Sequence, residues 1–140
     1  VSGLETRLTF DMGSLSMVMI DSFREVRESM VELITGYGTR IIGLQDLESL
    51  EEQPDDLLPD YIVLDTSVLE SDVESTIDSL RERWPGCRLI FTFGSTETVD
   101  VREYDRSRGV GVLKKPYSPA DLMDVIELLE ISTTAETEQS

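Results

Sequence analysis

Four polar residues stand directly behind short apolar runs, and their types are those of phosphoryl chemistry. Asp21 follows Met17-Val18-Met19-Ile20, Asp65 follows Tyr61-Ile62-Val63-Leu64, and Thr92 follows Leu89-Ile90-Phe91. Lys115 closes the run Gly111-Val112-Leu113-Lys114 and precedes Pro116. A carboxylate such as Asp65 can act as a nucleophile and form an acyl phosphate. Attack on a phosphoryl group needs its charge neutralised, because the catalysis is mostly positioning and electrostatics. Lys115 offers a compact point charge to one phosphoryl oxygen, and Thr92 a hydroxyl donor to another. Mg²⁺ held by Asp65 and Asp21 would supply further positive charge while keeping several waters. The competing account of each residue is structural. Asp65 would cap a turn, Thr92 would suit a strand as a β-branched residue, and Asp21 would be an acid favoured by a helix N-terminus.

The elements that must carry these residues alternate in period. Leu15 to Ile20 reads as a buried strand, and Phe23, Val26, Met30, Val31 and Ile34 then fall at helical spacing. Ser22 is the expected N-cap of that helix, with Gly36 and Gly38 ending it. Arg40 to Leu44 is a short strand, and Leu47 and Leu50 suggest a brief helix before the acidic loop Glu51 to Pro59. Tyr61 to Leu64 is a strand ending at Asp65, and Val73, Ile77 and Leu80 mark a helix that Trp84-Pro85-Gly86 stops. A strand from Arg88 to Phe93, a weakly periodic helix over 97–108 and a strand from Gly111 to Leu113 follow. A last helix opens at Ser118 or Pro119, with Leu122, Val125, Ile126 and Leu129 inward.

The order is (βα)5, with strands too apolar for a sheet wet on one face. It implies an α/β domain whose parallel sheet is covered by helices on both sides. The doubly wound, flavodoxin-like strand order 2-1-3-4-5 is the expected one, with any ligand beyond the carboxyl ends of the strands. Asp21, Asp65, Thr92 and Lys115 would all meet there. Residues 1–14 lack a period and read as a leader, an expression remnant or a short extra element. The domain would span 15–131, and the polar stretch 132–140 would be a disordered tail or linker.

Composition removes several function classes. The chain has 140 residues, enough for one domain, and no apolar run long enough to span a membrane. No basic region precedes an apolar one at the start, so no secretory signal is visible. Twelve Lys+Arg against 29 Asp+Glu give a net charge of −17, which repels nucleic acid and anionic membranes. An acid-rich, lysine-poor surface suits either a salt-adapted source or an ordinary acidic domain. Histidine is absent, which excludes a Ser-His-Asp triad, histidine-ligated metal and any role as a phosphohistidine carrier. The lone Cys87 fits a reducing cytoplasm and has no base to activate it. Arg81, Arg83 and Arg88 around Trp84 would form either a partner patch or an Arg-rich helix end.

The segments ending in Asp65, in Thr92 and in Lys115-Pro116 resemble the three signature segments of response-regulator receiver domains, over about residues 15–131. The resemblance implies phosphorylation of Asp65 by a sensor histidine kinase or histidine phosphotransfer protein. It also implies a Thr92 that turns toward the phosphoryl group, a Lys115 that contacts it, and a downstream protein or effector domain as partner. Mg²⁺ would be held by Asp21, Asp65 and the backbone carbonyl of Ser67. Such a domain is a cytoplasmic signalling module, not an enzyme beyond self-catalysed phosphotransfer and dephosphorylation.

The chain also departs from that pattern. Ser22 stands where the second of two adjacent acids is expected, which weakens the metal site. Leu69 replaces a proline, Phe93 replaces a small residue and narrows access to Asp65, and Val112 replaces the aromatic coupled to the threonine. The alternative is therefore a degenerate receiver that binds partners without phosphorylation. A phosphatase of the haloacid-dehalogenase type needs a second acid where Ser67 stands. A flavodoxin needs a Ser/Thr/Gly-rich phosphate loop after Ile20, and none is present.

Overall fold

Strand alternation divides the apolar residues between two cores. The computed structural model of the chain describes residues 11–97, 104 and 108–139, with backbone alone from 133. Five strands, β1 Ser16–Ile20, β2 Arg40–Leu44, β3 Tyr61–Asp65, β4 Arg88–Phe93 and β5 Val110–Lys114, form one parallel sheet. Their order is β2-β1-β3-β4-β5, the doubly wound arrangement expected. Because successive side chains point to opposite faces, Met17, Met19, Tyr61, Val63 and Ile90 join one core and Val18, Ile20, Ile62, Leu64 and Phe91 the other.

Among the described residues, four helices cover these faces: α1 Arg24–Thr35, α2 Leu47–Glu51, α3 Val73–Arg83 and α4 Pro119–Gln139. Met30 and Ile34 of α1 and Leu122, Met123, Ile126 and Leu129 of α4 complete the first core. Leu50 of α2 and Ile77 and Leu80 of α3 complete the second. Asp46 and Asp72 cap α2 and α3 by accepting from the Ser49 and Ser75 amides. Ser118 and Asp121 bond each other's backbone amides at the start of α4, a reciprocal cap. Close approach of helix to sheet requires glycine at Gly111, where a Cβ would lie 2.9 Å from Val125 Cγ1.

Several expectations need correction. Ser22 does not cap α1. The cap position is Phe23, without a side-chain bond, and the Phe23 amide donates to Asp21 Oδ1 at 2.8 Å. Residues 12–14 match the short extra element among the readings of the first segment. Met12–Ser14 forms a 3-10 turn, Met12 is buried in the first core, and Thr39 Oγ1 donates to the Met12 carbonyl at 2.9 Å. The polar stretch 132–139 is helical instead of disordered. Its backbone continues α4, because propagating a helix already anchored by Leu122–Leu129 is far easier than nucleating one. β5 is one residue longer at each end than expected. The helix placed over 97–108 lies outside the described residues, apart from 97, 104 and 108.

The arginines around Trp84 serve the fold. Arg83 donates to the carbonyls of Leu50 and Gln53 and stacks over the Trp84 ring at 4.3 Å. Arg81 Nε donates to the Cys87 carbonyl, and Arg88 pairs with Glu130. Cys87 is buried, and burial pushes its thiol up to about 12, so it is not a thiolate nucleophile.

Candidate functional site

The carboxyl edge of the sheet brings the four predicted residues together. Asp65 ends β3 and stands in register with Thr92 of β4. Asp21 directly follows β1, and its amide donates to the Leu44 carbonyl at 3.1 Å. Lys115 directly follows β5, and its amide is held by the Phe93 carbonyl at 2.8 Å. The Lys115–Pro116 bond is cis. Asp21, Asp65 and Thr92 are 2%, 4% and 1% exposed, so their polar groups act in a partly dehydrated setting where charge interactions are strong.

Lys115 joins the two acids. Its Nζ lies 2.6 Å from Asp21 Oδ2 and 3.0 Å from Asp65 Oδ2. Burial pulls the ammonium down, but its hydrogen bonds to Asp21 and Asp65 outweigh that, and its pKa lies above the ordinary lysine range. The same ammonium sits 5.4 Å above the exposed Phe23 ring, a cation–π contact. Beside the pair, Tyr117 is kept a neutral phenol. Burial raises its pKa, and the charges of Asp21 and Asp65 raise it further. Asp21 is the acid at a helix N-terminus and also pairs with Lys115. One carboxylate oxygen takes the amide at the start of α1 and the other takes Lys115. Arg27 fixes the backbone there by donating to the Asp21 carbonyl at 2.8 Å.

Ser67 carries more than a backbone carbonyl. It lies in the 3-10 turn Thr66–Val68, and its hydroxyl donates to Asp65 Oδ2 at 2.8 Å. Its oxygen is 3.4 Å from the hydroxyl of Ser22, the residue standing in for the second acid. The sequence contains no signal for this bond, since it depends on how the turn after β3 folds back. Leu69 closes that turn by donating its amide to the Thr66 carbonyl at 3.2 Å, a bond a proline could not make. Val112 is half-buried opposite Phe91, and the ring packed edge-on against Phe91 is Tyr104, 5.3 Å away. Phe93 is half-buried at the end of β4. A cleft of about 590 Å³ opens beside Lys115, lined by Val26, Met30, Pro116 and Tyr117 among others.

The donors at this edge are all oxygens, which suits a hard cation such as Mg²⁺. Asp21 and Asp65 supply two carboxylates, and among the described residues no cluster of three acidic, cysteine or histidine side chains is present. Oxygen donors therefore fit such an ion, with one charge fewer than a three-acid site would provide.

Solved structures that resemble the chain define the class of fold. The signal receiver domain of a Luxo repressor protein from Vibrio parahaemolyticus superposes with a TM-score of 0.68 at 13% identity, over 90% of this chain and 98% of that one. A beryllofluoride-activated NtrC4 receiver domain dimer gives 0.66 at 20% identity, over 84% and 98%. A response regulator protein from Burkholderia pseudomallei, with a phosphorylated aspartic acid, calcium ion and citrate, gives 0.67 at 12% identity, over 91% and 76%. No protein-family profile and no curated protein matches the sequence. The fold is that of response-regulator receiver domains. Among the described residues, no helix is long and apolar enough to cross a membrane.

Proposed function

We propose that the chain is a receiver of a two-component phosphorelay and that Asp65 accepts a phosphoryl group from a histidine kinase or histidine phosphotransfer protein. The observation that carries this reading is the single ammonium of Lys115 bonded to both buried carboxylates, beside Thr92 in register with Asp65. A carboxylate oxygen of Asp65 attacks phosphorus, and an O–P bond forms as the P–N bond to the donor imidazole breaks. The electron pair stays on nitrogen, and the ring leaves as neutral imidazole because its other nitrogen already carries a proton. Lys115 follows the new negative charge onto a phosphoryl oxygen, and Thr92 donates its hydroxyl to another. Asp21, Asp65 and the Ser67 carbonyl would hold Mg²⁺, whose chemistry is charge neutralisation of the phosphoryl oxygens.

The added charge shifts a two-state equilibrium and alters the surface read by a downstream protein or effector domain. The chain is then a cytoplasmic signalling module and not an enzyme with a separate substrate. Its charge of −17 leaves no basis for direct nucleic-acid binding. The second reading, a degenerate receiver that binds partners without phosphorylation, is favoured by Ser22, Phe93 and Val112. Titration with beryllofluoride and Mg²⁺, followed by amide NMR, separates the two. Shifts at Thr92 and Lys115 are expected. No response up to millimolar Mg²⁺ would remove the phosphorelay reading.

A further inference from the structure

We infer that Ser67 is a positioning residue for Asp65 and that Ser22 orients Ser67, an inference resting on the phosphoacceptor reading above. The Ser67 hydroxyl has one proton and places it on Asp65 Oδ2 at 2.8 Å. Of the two hydroxyls 3.4 Å apart, Ser22 must then be the donor and Ser67 the acceptor. The result is a one-way chain, Ser22 to Ser67 to Asp65, in which each bond polarises the next.

Lys115 reaches the same oxygen at 3.0 Å. Two donors therefore end on Oδ2, while among the described residues none reaches Oδ1. The carboxylate plane is held at one oxygen, and the other keeps its lone pairs for phosphorus. A carboxylate at position 22 would compete with Asp65 for the Ser67 proton, whereas the neutral Ser22 leaves that proton where it is. The replacement of the second acid and the hydroxyl two residues beyond Asp65 thus act together. Formation of the O–P bond at Oδ1, with cleavage of the donor's P–N bond and departure of the pair on nitrogen, proceeds from an oriented nucleophile.

The test compares wild type with Ser67→Ala, Ser67→Thr and Ser22→Ala, using phosphoramidate as donor at fixed donor and Mg²⁺ concentrations. Thermal melts confirm that each variant folds. Ser67→Ala should slow labelling of Asp65 by about tenfold or more, the effect of losing one hydrogen bond to a charged group. Ser67→Thr should restore the rate to within about twofold, because the hydroxyl returns, and Ser22→Ala should cost about twofold. The Asp65 side-chain carboxyl ¹³C signal in metal-free protein should move in Ser67→Ala and return in Ser67→Thr. Wild-type rates and an unmoved carboxyl signal in Ser67→Ala would overturn the inference while leaving the phosphoacceptor reading intact. An unlabelled wild type would overturn both kinetic claims, and the carboxyl signal would then judge the hydrogen bond alone.

Discussion

At the scale of single residues, the site is an electrostatic balance of two buried acids against one lysine. Removing Lys115 leaves Asp21 and Asp65 with their charges unpaired in a dehydrated pocket, which is far costlier than losing a surface ion pair. Lys115→Met should therefore destabilise the fold by about 2–3 kcal/mol at neutral pH in urea unfolding. The pKa of Lys115 is raised on folding. Its contribution is therefore complete below the ordinary lysine value of about 10.4 and is lost as pH rises through the higher folded value. Wild type and variant should differ by a constant amount from neutral to about pH 10 and converge above it; equal stabilities at neutral pH would contradict the balance. Asp21, Asp65, Thr92 and Lys115 were legible in the sequence because each follows an apolar run whose end a reader can see. The Ser67 hydroxyl was not, since a 3-10 turn decides where it points. Tyr117 was missed for a similar reason, as it reaches the site from the turn between β5 and α4.

At the scale of elements, the sheet edge holds the site only if the helices lie close against it. At Gly111, α4 packs close on β5, with Val125 Cγ1 and Leu129 Cδ1 at 2.9 and 3.3 Å from the place a Cβ would occupy. Gly111→Ala should cost about 1–3 kcal/mol through overpacking, read as a lower melting temperature. An unchanged melt would mean that α4 moves freely against the sheet. Strand existence was readable from apolar runs, and β3 and β4 fell where expected. Helix ends were less readable. The start of α1 follows the Asp21 carboxylate instead of a Ser22 cap, and the end of α4 follows helix propagation instead of composition.

At the scale of the whole molecule, a charge of −17 makes self-repulsion a general destabilising term. Screening shortens from about 10 Å at 0.1 M salt to about 3 Å at 1 M. Urea midpoints should rise steadily with added KCl, and a flat or falling trend would show that the acidic surface is already locally compensated. The layered (βα)5 plan was legible because buried parallel strands need continuous apolar runs, which few other folds share. The inclusion of Met12 in the core was not, because a short turn has no period to read.

The most direct measurement is mass-spectrometric detection of a phosphoryl group after incubation with phosphoramidate and Mg²⁺, in wild type and in Asp65→Ala. One acid-stable, base-labile phosphoryl group on wild type and none on Asp65→Ala is the predicted result. Equal labelling of both proteins, or none on well-folded wild type, would contradict the assignment of Asp65 as the phosphoacceptor.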